Sequence, residues 1–313
     1  MRVQPFAIAA LAAAAFAAPA STVPADTGHD PVPIVPGTGA TVSVGDDEQL
    51  RSAIAAAGPG DTIVLSAGTY GPVTLTGSGT AEAPITLTAA AGAVIDGGSG
   101  NGYALHLDGA AFWQVTGVTI AGGGKGVVLD RSQHVLLDAL DVGGTRDEAV
   151  HFRAGSSDNV IQRSVIHDTG LGKPQFGEGV YLGSAQSNWA KISGGAPDLS
   201  MRNRVLANTF ERIAAENVDV KEETGGSVIA GNHFDGSAVS GQNYADSIID
   251  VKGHDTVVVD NVTTGSSPHL GNIVETHVIT DPATSGCGNT IEGNTVEGFT
   301  PTGQLVAVDK KCL

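Results

Sequence analysis

The stretch GVVLDRSQHVLLDALDVGGTRDEAVHFR, residues 126 to 153, holds the pattern that decides the fold. Its runs GVVLDR, HVLLDALDV and AVHFR are short, alternate apolar with polar residues and are separated by turn-forming residues, so each predicts a strand. Outward from this stretch the first run recurs as YALHLD (103 to 108), GVYLG (179 to 183), NVDVK (217 to 221), IIDVK (248 to 252), IVETH (273 to 277) and LVAVD (305 to 309). The middle run recurs as FWQVTGVTI, NVIQRSVIH, NRVLANTFE, SVIAGNHFD, TVVVDNVTT and NTIEGNTVE. Copies of the first run lie 22 to 38 residues apart, with no helix-length apolar pattern between them. Two or three such strands cannot bury an apolar face alone but can do so stacked coil on coil, which predicts a solenoid of parallel strands. Asn208, Asn232, Asn261 and Asn294 recur at one position of the middle run, where stacked amides have a structural role.

Composition agrees: 44 glycines and only 4% aromatic residues in 313 suit short strands and tight turns better than thick helical packing. Before the coils, DDEQLRSAIAAAGPGDTIVLSAGTY opens with a helix-like stretch from Asp46 to Ala57, placed to cover the first open edge. The first twenty residues, MRVQPFAIAALAAAAFAAPA, read as a secretory signal peptide cleaved near Ala20, because the apolar run is short for a membrane span. No later segment approaches a transmembrane run, so a secreted, extracellular protein is expected. Residues 21 to 44, rich in Pro, Thr and Gly, read as a linker, leaving 45 to 313 as one domain. Cys287 and Cys312 either pair, fastening the C-terminus, or remain free thiols; an oxidising compartment favours the bridge. A net charge of -17 argues against nucleic acid or an anionic membrane as main partner. Yet twelve of the sixteen Lys and Arg fall between Lys125 and Lys252, so a local cationic face can exist on an acidic body.

PGDTIVLSAGTY, the following PITLTAAAGAVIDGG and the 22-residue coils resemble the pectate lyase-like superfamily over nearly all of residues 45 to 313. The resemblance implies an all-β, single-domain right-handed parallel β-helix with a short N-terminal capping helix. It leaves the chemistry open among lyases, glycosidases, epimerases and non-catalytic adhesins.

Stacked parallel strands lie about 4.8 Å apart, so aligning the first run coil by coil turns sequence into columns. One outward column runs His106, Val128, His151, Tyr181, Asp219, Asp250, Glu275, Ala307; the next runs Asp108, Asp130, Arg153, Gly183, Lys221, Lys252, His277, Asp309. A third, at the turn into the strand, reads Glu148, Glu178, Glu216. Two lysines one coil apart would repel by about 3 to 4 kcal/mol at an effective dielectric of 20, so Lys221 and Lys252 need an offset. Pairing with Asp219 and Asp250 supplies one as a plain ion ladder; an anionic ligand over the lysines supplies another. The longest loops belong to these coils and carry Trp189 and Tyr244, whose rings either pack within the loop or stack on a sugar.

Polysaccharide lyases of the superfamily cleave uronic-acid polymers by β-elimination, and the site logic is similar to that of the alginate lyase and chondroitinase B family. That resemblance implies an acidic polysaccharide substrate and Ca²⁺ held by Glu178, Glu216, Asp219 and Asp250; the chain is expected to be a monomer. It implies Lys221 as base, with Lys252 and Arg153 flanking it, lowering its pKa and holding the substrate carboxylate. Tyr181, His151, His277 and Trp189 complete the expected substrate contacts, with Tyr181, His151 or water as proton donor. A glycosidase using Asp219 with Asp250 or Glu216 remains the alternative, as does a non-catalytic carbohydrate-binding surface protein.

Overall fold

The computed structural model describes residues 28 to 279 and 285 to 313; the expected signal peptide lies outside the described residues. Three parallel sheets of ten, nine and nine strands wind coil upon coil, so the chain is an all-β parallel β-helix. Each coil gives one short strand to each sheet. Inward residues of the sheet that carries the charged columns stack as Leu105, Val127, Val150, Val180, Val218, Ile249 and Val274. All are buried, and this continuous aliphatic ladder replaces the two-layer core of an ordinary domain. Phe210 and Phe234, on neighbouring strands, add a tilted aromatic pair to the core, 4.8 Å between ring centres.

The asparagine column is a hydrogen-bonded ladder. The Asn208 amide donates to Asn232 Oδ1 (3.1 Å), Asn232 to Asn261 (2.9 Å) and Asn261 to Asn294 (2.8 Å). Each amide also donates to a strand carbonyl, so buried turn groups that lack strand partners are satisfied. Asn232→Ala would strip four bonds and leave buried partners unpaired; a loss of about 2 to 4 kcal/mol in denaturant unfolding is expected.

Helix Asp47–Ala56 is capped by Asp46, which accepts from Gln49 N–H (2.8 Å), and buries Leu50 and Ile54. The stretch expected to be a linker is bound to the body. Thr41–Val44 is a strand paired with Thr62–Leu65. Upstream, Gln162 and Gln114 each exchange a pair of hydrogen bonds with the backbone of Val32 and Val35, at 2.6 to 2.8 Å. Extended backbone saturated by two side-chain amides is no tether, and the glutamines that hold it lie 130 and 79 residues away in sequence. Cys287 and Cys312 form a disulfide with Cα atoms 5.4 Å apart, fastening the C-terminal turn to the last coil. Among the described residues no helix is long and apolar enough to cross a membrane.

Candidate functional site

The strand register assembles the first outward column as read: His106, Val128, His151, Tyr181, Asp219, Asp250, Glu275 and Ala307 are successive partners. Period-two alternation permits this, because a one-residue slip would turn the charges inward. Backbone bonds from Ala149 to Glu178 and from Gly179 to Glu216 place the third column's glutamates on successive coils.

A cleft of about 550 Å³ opens over these columns, lined by Glu178, Glu216, Asp219, Lys221, Asp250, Lys252, Glu275 and His277. Gln175, Asn243, Tyr244 and Asp246 form part of its wall from the neighbouring loops. In its floor Lys221 pairs with Asp219, Lys252 pairs with Asp250 and reaches Asp219 (3.4 Å), and His277 Nδ1 lies 2.9 Å from Asp250. Five buried carboxylates of the lining, Glu178, Glu216, Asp219, Asp250 and Glu275, thus face two ammonium groups and one histidine.

That imbalance governs the protonation of the site. Burial, then the charges of Glu148 and Asp219, pushes Glu178 up to about 8. Burial, then Asp219 and Glu178, lifts Glu216 well above the carboxylate range. Neither carboxylate has a side-chain partner among the described residues. Burial opposes the Lys221 ammonium, but Asp219 and Asp250 outweigh it and hold Lys221 above the ordinary lysine range; Lys252 is raised the same way. Asp250 is held low, with Lys252 and His277 overcoming its burial. The expectation that flanking cations depress Lys221 is therefore wrong, because the carboxylates outnumber them.

Several expected site residues lie elsewhere. Arg153 is buried, bonded to both oxygens of Asp130 (2.8 and 3.1 Å) and to the Tyr103 hydroxyl (2.7 Å), with Gly183 between it and Lys221 in the column. His151 is buried and spends both ring nitrogens on protein, so it is no substrate contact. Trp189 is buried too, its Nε1 donating to the Ser184 carbonyl (2.9 Å). Its loop is folded down by Asp198, which accepts from Ala154 N, Gly155 N, Ser184 Oγ and Ser200 Oγ. Tyr244 is the aromatic left out, 86% exposed on the cleft wall.

Of the four expected metal ligands, Glu178, Glu216 and Asp219 bring one oxygen each within 4.8 Å of one another, whereas Asp250 groups with Glu275 and His277. Three buried oxygen donors, two of them unpaired, fit a hard cation such as Ca²⁺. Sequence reading left Glu275 and Asp246 without a role. Glu275 stood in the charged column as a usable signal; Asp246 had none.

The fold and the charged cleft together define a parallel β-helix with a buried, ionisable groove floor. Among solved structures the chain is similar to an alginate lyase from Paenibacillus sp. str. FPU-7, with 38% identity over 86% of this chain and 91% of that one and a TM-score of 0.80. It belongs to that family, and is a polysaccharide lyase. A pectate lyase from Bacillus sp. N165 in complex with trigalacturonate is 12% identical over 85% of this chain and 88% of that one (TM-score 0.57), and shares the fold. So does a lacto-N-biosidase from Eubacterium ramulus, 13% identical over 82% of this chain and 56% of that one (TM-score 0.58). The fold alone therefore does not select the chemistry. No family model and no curated protein matches the chain.

Proposed function

We propose that this polysaccharide lyase is exported and cleaves an alginate-type 4-linked uronic-acid polymer by β-elimination. The substrate class follows the alginate lyase relative. One observation carries the residue roles: Lys221, lying 4.9 Å over the Tyr181 ring, shares Asp219 with the two unpaired glutamates.

Elimination removes the C5 proton, forms the C4=C5 double bond and expels the C4 oxygen. Lys221 Nζ, after its resting ammonium proton has passed to solvent, takes the C5 proton. Tyr181 gives its hydroxyl proton to the departing oxygen; burial and then the charges of Asp219 and Glu178 keep that hydroxyl protonated until then. Lys252 and His277 hold the uronate carboxylate in place of their resting bonds to Asp250. Glu178, Glu216 and Asp219 would hold a Ca²⁺ ion, which supplies neutralisation of the substrate carboxylate when bound. With an ion held there, Asp219 would hold the Lys221 ammonium less strongly. Helix Asp47–Ala56 closes the N-terminal end of the solenoid in this reading, and the disulfide suits an oxidising compartment.

The test is incubation with mannuronate-rich and guluronate-rich alginate, pectate, glucuronan and glycosaminoglycans while following ultraviolet absorbance. Unsaturated ends from alginate are expected. Unsaturated ends from another uronan alone would reassign the substrate, and reducing ends without absorbance would sink the elimination mechanism.

Tyr244 is the expected sugar platform. Its backbone and that of Asn243 are held at φ of 66° and 55°, a strained turn that keeps the ring in solvent at the cleft wall. Tyr244→Ala is expected to raise KM about three- to tenfold, matching an aromatic contact of about 1 kcal/mol, with kcat little changed; Tyr244→Phe keeps the wild-type KM. An unchanged KM in the alanine variant would remove the platform.

A further inference from the structure

Column two carries lysine at 221 and 252 but glycine at 183. A Cβ there would collide with Thr224 Oγ1 and lie 3.5 Å from Lys221 Cβ, and Gly183 has a φ of +78°. The turn this permits aims the Gly183 carbonyl at His151 Nε2, 2.8 Å away. A carbonyl only accepts, so Nε2 carries a proton. His151 Nδ1 lies 2.8 Å from Glu148 Oε1, so one further proton lies between ring and carboxyl. Glu148 is paired in turn with Lys125. The imidazole is thereby fixed at both ends, and it meets Tyr181 edge-on with centroids 4.5 Å apart and planes at 73°.

The fold does not require this buried chain of ionisable groups. The preceding coil has Val128, fully buried, at the same column position as His151. A valine would fill the place with no polar atom to satisfy, so burying His151 against Glu148 is a cost that packing does not explain. What the histidine adds is orientation.

We propose that Lys125, Glu148 and His151, anchored on the Gly183 carbonyl, are positioning residues for the elimination reaction: they set the Tyr181 ring, and through its face the Lys221 ammonium. This rests on the lyase reading above, in which Tyr181 and Lys221 act on substrate. A displacement of about 1 Å at such a pair costs about 10²-fold in rate.

The test compares kcat and KM of His151→Val and Lys125→Met with wild type on alginate, after thermal unfolding confirms folded protein. His151→Val reproduces the packing of the preceding coil, and a 10- to 100-fold lower kcat with KM within about twofold is expected. Lys125→Met, which strips Glu148 of its ammonium partner, is expected to lower kcat in the same direction, and it decides the matter if His151→Val does not fold. A kcat within twofold of wild type in the folded variants, or a loss confined to KM, overturns the proposal. A wild-type protein that makes no unsaturated ends from any uronan overturns the lyase mechanism and this inference with it. Activity that persists unchanged in both variants overturns this inference alone.

Discussion

Lys221→Ala is expected to lower the rate of unsaturated-end formation by about 10²- to 10⁴-fold, the range for loss of a positioned base. Lys221→Arg is expected to be nearly as poor. Arginine keeps the positive charge and can still pair with Asp219, but its guanidinium does not give up a proton at accessible pH. An arginine variant within tenfold of wild type would show that Lys221 serves by charge alone, and the base would have to be sought elsewhere in the cleft. The alanine variant also loses one partner of a buried ion pair, since Lys221 and Asp219 are 12% and 2% exposed at their side chains. That loss is worth about 3 to 5 kcal/mol when a charge is left unpaired, although Lys252 remains within 3.4 Å of Asp219 to limit it. Rates are therefore to be compared well below the unfolding temperature of each variant.

The second large effect is on stability against pH, read by thermal unfolding with and without divalent cation. Glu178 is raised to about 8 from an ordinary 4.5, and Glu216 is raised in the same direction. A carboxyl whose pKa is higher folded than unfolded binds more protons in the folded state between the two values. The contribution of these two carboxyls to stability is then full below about pH 4.5 and falls as pH rises toward 8. Without divalent cation, Tm is expected to decline across that window. Calcium reverses the sign, because the ion prefers the ionised carboxylates; at a hundredfold excess over Kd it adds about 2.7 kcal/mol, with the gain growing as pH rises. Glu178→Gln is expected to flatten the decline and to weaken the response to calcium. A Tm at pH 8 that ignores both calcium and chelator would mean that the two glutamates are held as neutral acids, and the cation reading would fall.

Much of the site's outline was legible in the sequence, because one repeat length and one alternation generate it. Once His106, His151, Tyr181, Asp219 and Asp250 are placed on one column, inward valines and leucines leave no other register. The asparagine ladder was legible for the same reason. What could not be read was which neighbours in a column take each other as partners. Arg153 and Lys221 share a column, yet Arg153 turns back to Asp130 and Tyr103 while Lys221 turns to Asp219 and the Tyr181 face. Trp189 and Tyr244 looked alike as loop aromatics. Asp198 folds one loop down over its tryptophan, and two residues at positive φ hold the other ring in solvent.

By itself the sequence determined the solenoid, its register and the identity of the charged columns, since these follow from short-range alternation repeated at coil length. Only the tertiary structure decided the protonation of the site and the attachment of residues 28 to 44. Both depend on groups far apart in the chain: five carboxylates desolvated around two lysines in one case, and Gln114 and Gln162 reaching the Val35 and Val32 backbone in the other. Electrostatic balance and side-chain clamping are sums over neighbours in space, and the residue pattern along a strand carries no record of them.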